Sequence, residues 1–373
     1  MTIFLLVLSL ILFIGLVVVH EWGHFVAARR SGVDVEEFGI GFPPKVWAKK
    51  IRSKKSKFIF SINLLPLGGF VRLKGENAED KRPGSFGAAS LPAKVKIMLA
   101  GVAMNAVVAF VMFTILAATG MPKIIDDQFT VASDTKTVQE VQNSGVVIVN
   151  SVEENTPAAQ AGIKADDQIL AINNEQITSA DQVANLTESN AGKTVPILIG
   201  RDGNQITVEA TLNKENSGNG YLGIASQSGA SGIEVTRSTW SSPIVALGLM
   251  KQISALTFQG LGTAISNLAK GNTEKASEQV AGPVGIFYIL REGTKIGLGF
   301  ILFIIAIISL TLALLNALPI PALDGGRLFV TLLFAALKKP LTKRTEEAIH
   351  GTGFAALILL IVLITIVDVN RFF

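Results

Sequence analysis

The residues best suited to chemistry stand near the beginning of the chain, in the stretch His20-Glu21-Trp22-Gly23-His24. Histidines four residues apart share one face of a helix, and the H-E-x-x-H pattern is typical of zinc sites. Glu21 is then placed to act as a general base on a water molecule at the metal. The chain contains 3 histidines, and two of them fall in this pattern. We therefore interpret His20 and His24 as zinc ligands rather than as buried structural histidines.

A catalytic zinc usually has three protein ligands, and the chain contains 0 cysteines, so the third ligand must be His, Asp or Glu. His350 and Asp324 are the two candidates. Asp324 is favoured because two prolines and a glycine pair interrupt the apolar sequence "LLNALPIPALDGGRL" around it. Irregular backbone at membrane depth is tolerated only where protein or a cavity covers it. His350 stands at the edge of a basic loop and fits a membrane-boundary residue better.

The elements that must position these residues are membrane helices, because 49% of the residues are hydrophobic and 17% are charged. A bilayer is spanned by roughly 20 apolar residues. Four stretches meet this length and predict a polytopic α-helical membrane protein with about four transmembrane helices, at residues 3–26, 95–117, 297–318 and 351–370. The predicted N-terminal membrane core is 1–120, and the C-terminal core is 296–373.

The distribution of charge predicts the orientation. Residues 27–96 contain 15 Lys and Arg against 6 Asp and Glu, whereas residues 120–295 contain 12 against 18. Basic loops stay in the cytoplasm, so we expect the first stretch inside, the second outside, and the site near the cytoplasmic side of the membrane. The net charge of +4 follows this topology, and no nucleic-acid binding is expected.

Two loops carry β-type sequence. Residues 128–226 alternate short β-rich runs with turn signals, and "SVEENTPAAQAGIKADDQILAINNEQI" resembles a PDZ domain, an α+β fold that binds extended peptides at a sheet edge. The stretch 145–147 is a candidate peptide-binding loop, and a purely steric role for the domain is the alternative. Residues 36–92 are predicted to form a cytoplasmic β-rich loop with a membrane-associated hairpin that offers a pairing edge.

The stretch 235–295 is apolar with scattered polar residues. We expect an amphipathic segment at the membrane interface over 240–275, with Trp240 at the headgroup level. A fifth span is the alternative, and a sixth would then be needed to keep the charge alternation.

Several further motifs accompany "HEWGHF". They are "FGIGFPP" (38–44), "LPLGGFVRLKGE" (65–76), "AGVAMN" (100–105), "AGPVGI" (281–286) and "NALPIPALDGG" (316–326). Together they make the chain similar to the site-2 protease family of intramembrane zinc metalloproteases, in particular the bacterial regulator of sigma-E protease type. The resemblance covers most of the chain and implies that the protein lies in a bacterial inner membrane.

The resemblance implies roles for individual residues. It implies His20, His24 and Asp324 as zinc ligands, Glu21 as the catalytic base, and Asn316 as support for the substrate or the developing oxyanion. It also implies that a strand comprising Gly68, Gly69, Phe70 and Val71 pairs with an unwound substrate. The implied cofactor is Zn²⁺, and the implied partners are single-span membrane proteins such as anti-sigma factors, signal-peptide remnants or pheromone precursors, together with the bilayer and a peptide ligand of the PDZ domain.

The chain also departs from the family pattern. Relatives of this type often carry two PDZ domains, and there is room here for one, which leaves the substrate's identity open. Many have His after the Asp-Gly-Gly, where this chain has Arg327. The rival interpretation is an inactive membrane PDZ scaffold or a metal transporter, but Glu21 is present and the spans contain few further polar residues.

Overall fold

The computed structural model of the 373-residue chain describes all residues except 1, 54, 55, 77, 78, 126, 140, 141, 154, 202, 203, 217–219, 232, 233, 273, 274, 276–279 and 373. The chain divides into two compact units. The first, called the membrane unit below, comprises residues 1–136 and 236–373, and the second, called the β domain, comprises residues 137–235.

The membrane unit is mainly helical. Its helices are α1 (Thr2–Arg30), α2 (Leu91–Thr119), α5 (Ser242–Ala269), α6 (Pro283–Ile296), α7 (Leu298–Ala317), α8 (Asp324–Ala336) and α9 (Lys343–Phe372). Within the described part of the chain, five of them are long and apolar enough to cross a membrane: α1, α2, α5, α7 and α9. The chain is therefore a helical membrane protein, with one candidate span more than the four expected.

The additional candidate is α5, which covers the stretch for which sequence favours an interfacial position. Its mean hydropathy of 1.3 is the lowest of the five. Nevertheless, its buried side chains pack in one cluster with those of α2 and α7. The polar residue Gln252 is satisfied locally, because it accepts a hydrogen bond from the Phe129 N–H and donates one to the Asp127 carbonyl. The packing of α5 and the hydrogen bonds of Gln252 to the 127–129 loop offset the polarity for which the sequence favours an interfacial position.

Helices α1 and α2 cross at very close range. A Cβ added to Gly23 of α1 would lie 2.5 Å from the Ala100 carbonyl oxygen of α2. The side of α2 away from this crossing packs on α7, where Phe113 and Phe303 meet edge to face with ring centroids 5.5 Å apart. These contacts place the histidine-bearing end of α1 against the "AGVAMN" segment of α2.

The predicted cytoplasmic hairpin is a small antiparallel sheet of β1 (Val35–Ser53) and β2 (Ser56–Leu73). Each strand bends back on itself, so Gly39 pairs with Ser61 on one side and with Phe70 on the other. The sheet therefore has four rows, in the order 69–73, 35–40, 59–62 and 45–52. Rows 69–73 and 45–52 are its two edges.

The sheet is held together by a buried carboxylate. Glu37 is 1% exposed and accepts hydrogen bonds from Lys45 Nζ at 2.8 Å and Ser61 Oγ at 2.7 Å. Burial raises the pKa of Glu37, but the bonds from Lys45 and Ser61 outweigh this effect, so its pKa lies below the ordinary value. The ion pair between Lys45 and Glu37 thus links row 45–52 to the central row 35–40.

The β domain is built on an antiparallel sheet with the strand order β10-β5-β6-β8-β9, and β7 pairs with β6. The strands of this sheet are β5 (Gln142–Val152), β6 (Gln168–Ile172), β7 (Glu175–Gln176), β8 (Thr194–Arg201), β9 (Asn204–Thr211) and β10 (Ile224–Ser231). Two helices, α3 (Pro157–Gln160) and α4 (Ala180–Ser189), complete it. Short strands β4 (Lys136–Gln139) and β11 (Val235–Arg237) lie where the chain leaves and re-enters the membrane unit, and β3 (Met121–Pro122) belongs to that unit.

The domain has its own core of aliphatic residues. A buried ion pair fixes the turn before β6: the Asp167 side chain, 2% exposed, accepts from Arg201 Nη2 at 2.7 Å and from the Lys164 N–H at 2.7 Å. The bonds from Arg201 lower the pKa of Asp167, so the pair is ionised at neutral pH.

Candidate metal centre

Helix α1 brings His20 and His24 together on one face, as their spacing predicts. Their Nε2 atoms lie 3.2 Å apart. Asp324, at the first turn of α8, places Oδ2 3.0 Å from His20 Nε2 and 3.1 Å from His24 Nε2. His20 is 8% exposed, and the side chain of Asp324 is 24% exposed. Three potential ligand atoms therefore form a nearly equilateral triangle.

The size of this triangle suits a tetrahedral metal ion. Ligand atoms about 2.0–2.1 Å from zinc are separated by about 3.3 Å along the edges of a tetrahedron. The observed separations of 3.0, 3.1 and 3.2 Å are close to this value. Two neutral imidazoles and one carboxylate are also a common donor set for catalytic zinc. The residues present fit zinc with three protein ligands.

Asp324 reaches the histidines because the chain breaks between α7 and α8. Ala322 in the break adopts a left-handed backbone conformation, with φ at 77°. Gly325 and Gly326 then pass so close to the carbonyl groups that end α7 and follow it that a Cβ at either position would clash with backbone. Without these two glycines, the first turn of α8 cannot fold back under α7.

His350, the other candidate ligand, serves this break. Its Nδ1 accepts a hydrogen bond from the Ala322 N–H at 3.3 Å, and the nearby Gly353 packs on Pro321. Among the described residues, the group able to hold a metal consists of His20, His24 and Asp324. His350 thus lies against the segment that carries Asp324 without joining the triangle.

Helix α2 orients both histidine rings. The Nδ1 of His24 donates to the Ile97 carbonyl at 2.8 Å, which leaves Nε2 for the metal. The Nδ1 of His20 lies 3.3 Å from the side-chain amide of Asn105, and Asn105 Oδ1 is buried without a partner. Rotating this amide by half a turn would let Oδ1 accept the His20 Nδ1 proton and satisfy both groups. Asn105 is a positioning residue that the sequence interpretation missed, although an Asn within an apolar span is a signal for it.

Gly101 of α2 leaves the space that the two rings occupy. A Cβ there would lie 2.5 Å from His24 Nε2 and 2.6 Å from His20 Nε2. Since real Cβ atoms do not approach other atoms this closely, any larger residue at 101 must displace at least one ring. The small residues of "AGVAMN" therefore have a direct geometric role.

Glu21 lies beside the triangle and faces the sheet. Its carboxyl lies near the backbone N–H of Val71. A Cβ at Gly69 would lie 3.4 Å from Glu21 Cγ, so edge row 69–73 passes directly along the glutamate. A cavity of about 150 Å³ between them is lined by Glu21, His24, Val71 and Asp324, among others. The structure therefore brings part of the predicted pairing strand to the candidate base.

Asn316 is half-buried in the last turn of α7, just before the break. Its side chain makes no hydrogen bond to another residue in the described part of the chain. Arg327, one turn after Asp324, donates from Nη2 to the Glu76 carbonyl at 2.7 Å and lies 4.8 Å from the Phe86 ring. This arginine joins α8 to the segment that follows the sheet.

Replacing Gly101 with Ala tests the geometry. We expect G101A to lower the zinc content of the purified protein severalfold, because the added methyl group displaces the ligand rings. The matched control is G15A, a site in α1 where an added Cβ meets nothing within 4 Å. Emission spectroscopy measures zinc per chain; equal zinc in G101A and G15A would contradict the placement of the rings.

Comparison with known proteins agrees with this geometry. The sequence profile of Peptidase family M50 matches residues 8–360. A Clostridium perfringens protein, provisionally named a zinc metalloprotease, is 30% identical over 98% of this chain and 98% of its own length. The zinc metalloprotease RasP of Shouchella clausii is 25% identical over 97% of this chain and 98% of its own.

Solved structures match a smaller part. The PDZ domain of an SdrC-like protein from Listeria innocua is 26% identical, covers 22% of this chain and 92% of its own, and gives a TM-score of 0.20. The family assignment rests on the long matches, which include the histidine pair, the break and Asp324. The chain belongs to peptidase family M50, the site-2 protease family of membrane metalloproteases.

Proposed function

We propose that this zinc metalloprotease hydrolyses a peptide bond in, or at the edge of, the transmembrane segment of a single-span membrane protein. The observation that carries the proposal is the triangle of His20, His24 and Asp324 with Glu21 beside it, all within or next to candidate membrane spans. Ionisable side chains are costly at this depth and are kept where they bind or react.

The chemistry is divided among the chain's own residues. His20, His24 and Asp324 hold the metal, which when bound supplies Lewis acidity for carbonyl polarisation and for lowering the pKa of water. Glu21 removes the proton from the attacking water and delivers it to the leaving amine. Asn316, which has no hydrogen-bond partner among the described residues, is available to donate to the substrate carbonyl as negative charge develops.

Row 69–73 of the sheet is proposed to bind the substrate backbone. A helical substrate has its carbonyl groups engaged in hydrogen bonds, so it must unwind before a bond can be cut. Row 69–73 pairs with row 35–40 on one side, and its Gly69 lies against Glu21. An unwound segment that pairs with Gly69, Phe70 and Val71 would regain backbone hydrogen bonds beside the base. Gly68, with φ at 118°, forms the turn into this row.

The proposed orientation follows the charge distribution. The sheet and the metal-binding end of α1 lie on the cytoplasmic side of a bacterial inner membrane, and the β domain lies on the outer side. Both the first turn of α8 and the second half of α1 reach the same depth, because His20, His24 and Asp324 are in contact.

The β domain is proposed to be a PDZ domain that binds a peptide. The sequence candidate 145–147 lies in strand β5, where Val146 and Val147 pair with β10. Strand β10 is the edge strand on this side of the sheet, and a groove of about 300 Å³ runs between its start and α4. The groove is lined on one side by Leu222 and Ile224 and on the other by Val183 and Ala184. An extended peptide with an apolar terminal residue fits such a groove.

Replacing Glu21 with Gln tests the reaction. We expect E21Q to cut a single-span reporter at least about a hundredfold more slowly, because general-base catalysis contributes about that much. Zinc content should stay unchanged, since Glu21 is not among the three ligand atoms. E79Q, which removes an exposed carboxylate on the same side, is the control. Full cleavage by E21Q would rule out the protease mechanism.

Disulfide crosslinking tests strand pairing, because the chain contains 0 cysteines and any introduced cysteine is unique. In the E21Q background, F70C should crosslink to a reporter with a cysteine near the cleaved bond. K50C, on the opposite edge of the same sheet, should not. Equal crosslinking at both positions would show that the substrate does not select row 69–73.

The groove of the β domain is tested by peptide binding. A184R places a long side chain in the groove, whereas N185R changes the next residue of α4, which is exposed and does not line the groove. In fluorescence anisotropy with C-terminal apolar peptides, we expect A184R to abolish binding and N185R to retain it. If no peptide from a random library binds the wild-type domain, the steric role is favoured instead.

A further inference from the structure

A cavity of about 560 Å³ opens at the last two turns of α1 and is separate from the metal site. Its walls come from α1 and from the sheet, and include Trp22, Phe25, Arg29, Arg30, Lys57 and Phe58. With 3.6 residues per turn, Trp22 and Arg29 point about 180° away from the mean direction of His20 and His24. The cavity therefore faces the opposite side of the helix from the triangle of ligands.

The cavity has an aromatic end and a cationic end. Trp22 stacks on Phe25, with ring centroids 5.1 Å apart, and Trp22 remains 49% exposed. Arg30 follows Trp22 by eight residues, which corresponds to about 12 Å along the helix axis. The aromatic end belongs to the apolar part of α1, and the cationic end lies where the apolar sequence stops.

The residues that the structure describes do not neutralise the three cations Arg29, Arg30 and Lys57. Among the described residues, Arg29, Arg30 and Lys57 make no ion pair with a carboxylate; Arg29 lies over the Phe25 ring, 5.4 Å from its centroid. Asp34 also lines the cavity, but its carboxylate is bound by Lys74 at 3.0 Å. Cations that converge on one cavity without counter-ions favour an anionic ligand.

We propose that the cavity binds an anionic phospholipid, with its phosphate at Arg29, Arg30 and Lys57 and an acyl chain along Trp22 and Phe25. Indole rings favour the membrane interface, and basic pockets beside membrane helices favour anionic headgroups. A zwitterionic headgroup is a poorer ligand, because its ammonium group offsets the attraction. The bound lipid would join the end of α1 to the sheet, and so hold row 69–73 at a constant depth beside Glu21.

Tryptophan fluorescence tests the proposal in the full-length protein. The chain has 3 tryptophans, and W47F/W240F leaves Trp22 as the only one. The protein is reconstituted in vesicles of equal phosphatidylglycerol and phosphatidylcholine, with bromine on the acyl chains of one lipid or the other. We expect Trp22 to be quenched severalfold more strongly when phosphatidylglycerol carries the bromine. Equal quenching of Trp22 by the two brominated lipids would overturn the proposal, and this comparison needs no substitution in the cavity.

Charge variants then locate the site. In the W47F/W240F background, R29Q/R30Q/K57Q should abolish the preference for phosphatidylglycerol. Each cation is expected to contribute up to about fivefold to the affinity for the anionic lipid. The control K49Q/K50Q/R52Q removes three cations from the edge of the same sheet, outside the cavity, and should retain it. Loss of the preference in both triple variants would show general surface electrostatics and overturn the assignment. A change in Trp22 fluorescence with inorganic phosphate in detergent, with no lipid preference in vesicles, would indicate a soluble anion instead.

Discussion

The membrane unit depends on one constraint: three polar side chains must meet at a depth where lipid offers them no hydrogen bonds. A bound metal would satisfy the three ligand atoms of His20, His24 and Asp324, and α2 contacts the remaining ring nitrogen of each histidine. The close crossing at Gly23 and the space left by Gly101 follow from this requirement, because a larger residue at either position would separate the helices or displace the rings.

The same constraint explains why α7 does not simply continue. A straight helix would carry Asp324 about 12 Å farther along its axis than Asn316, beyond the histidines. The break at Ala322 and the close passage of Gly325 and Gly326 return Asp324 to the level of α1. The break leaves backbone groups without helical partners. One of them, the Ala322 N–H, donates a hydrogen bond to His350 of α9. His350, which the sequence offers as a possible metal ligand, instead supports the segment that carries Asp324 to His20 and His24.

Local patterns predicted the histidine pair, the helix break and most of the apolar spans, because each depends on residues close together in sequence. The positioning contact of Asn105 and the space at Gly101 depend on where α2 crosses α1, which no local pattern states. The polarity of residues such as Gln252 concealed how α5 packs, since their partners lie more than a hundred residues away. Strand β10 has few β-branched residues, and its conformation comes from pairing with β5.

The volume beside Glu21 limits what can reach the site. Two turns of α-helix with side chains, about 10 Å wide and 11 Å long, occupy roughly 800 Å³. All the empty space in the cavity between Glu21 and row 69–73, including its share of open solvent, amounts to about 530 Å³, so two helical turns do not fit beside Glu21 unless the sheet moves. An extended backbone is thinner and carries unpaired N–H and C=O groups that an edge row can bind. In the proposed mechanism, the narrow space and the adjacent strand edge therefore act together: the first would exclude intact helices, and the second would stabilise the unwound chain whose carbonyl groups are open to attack.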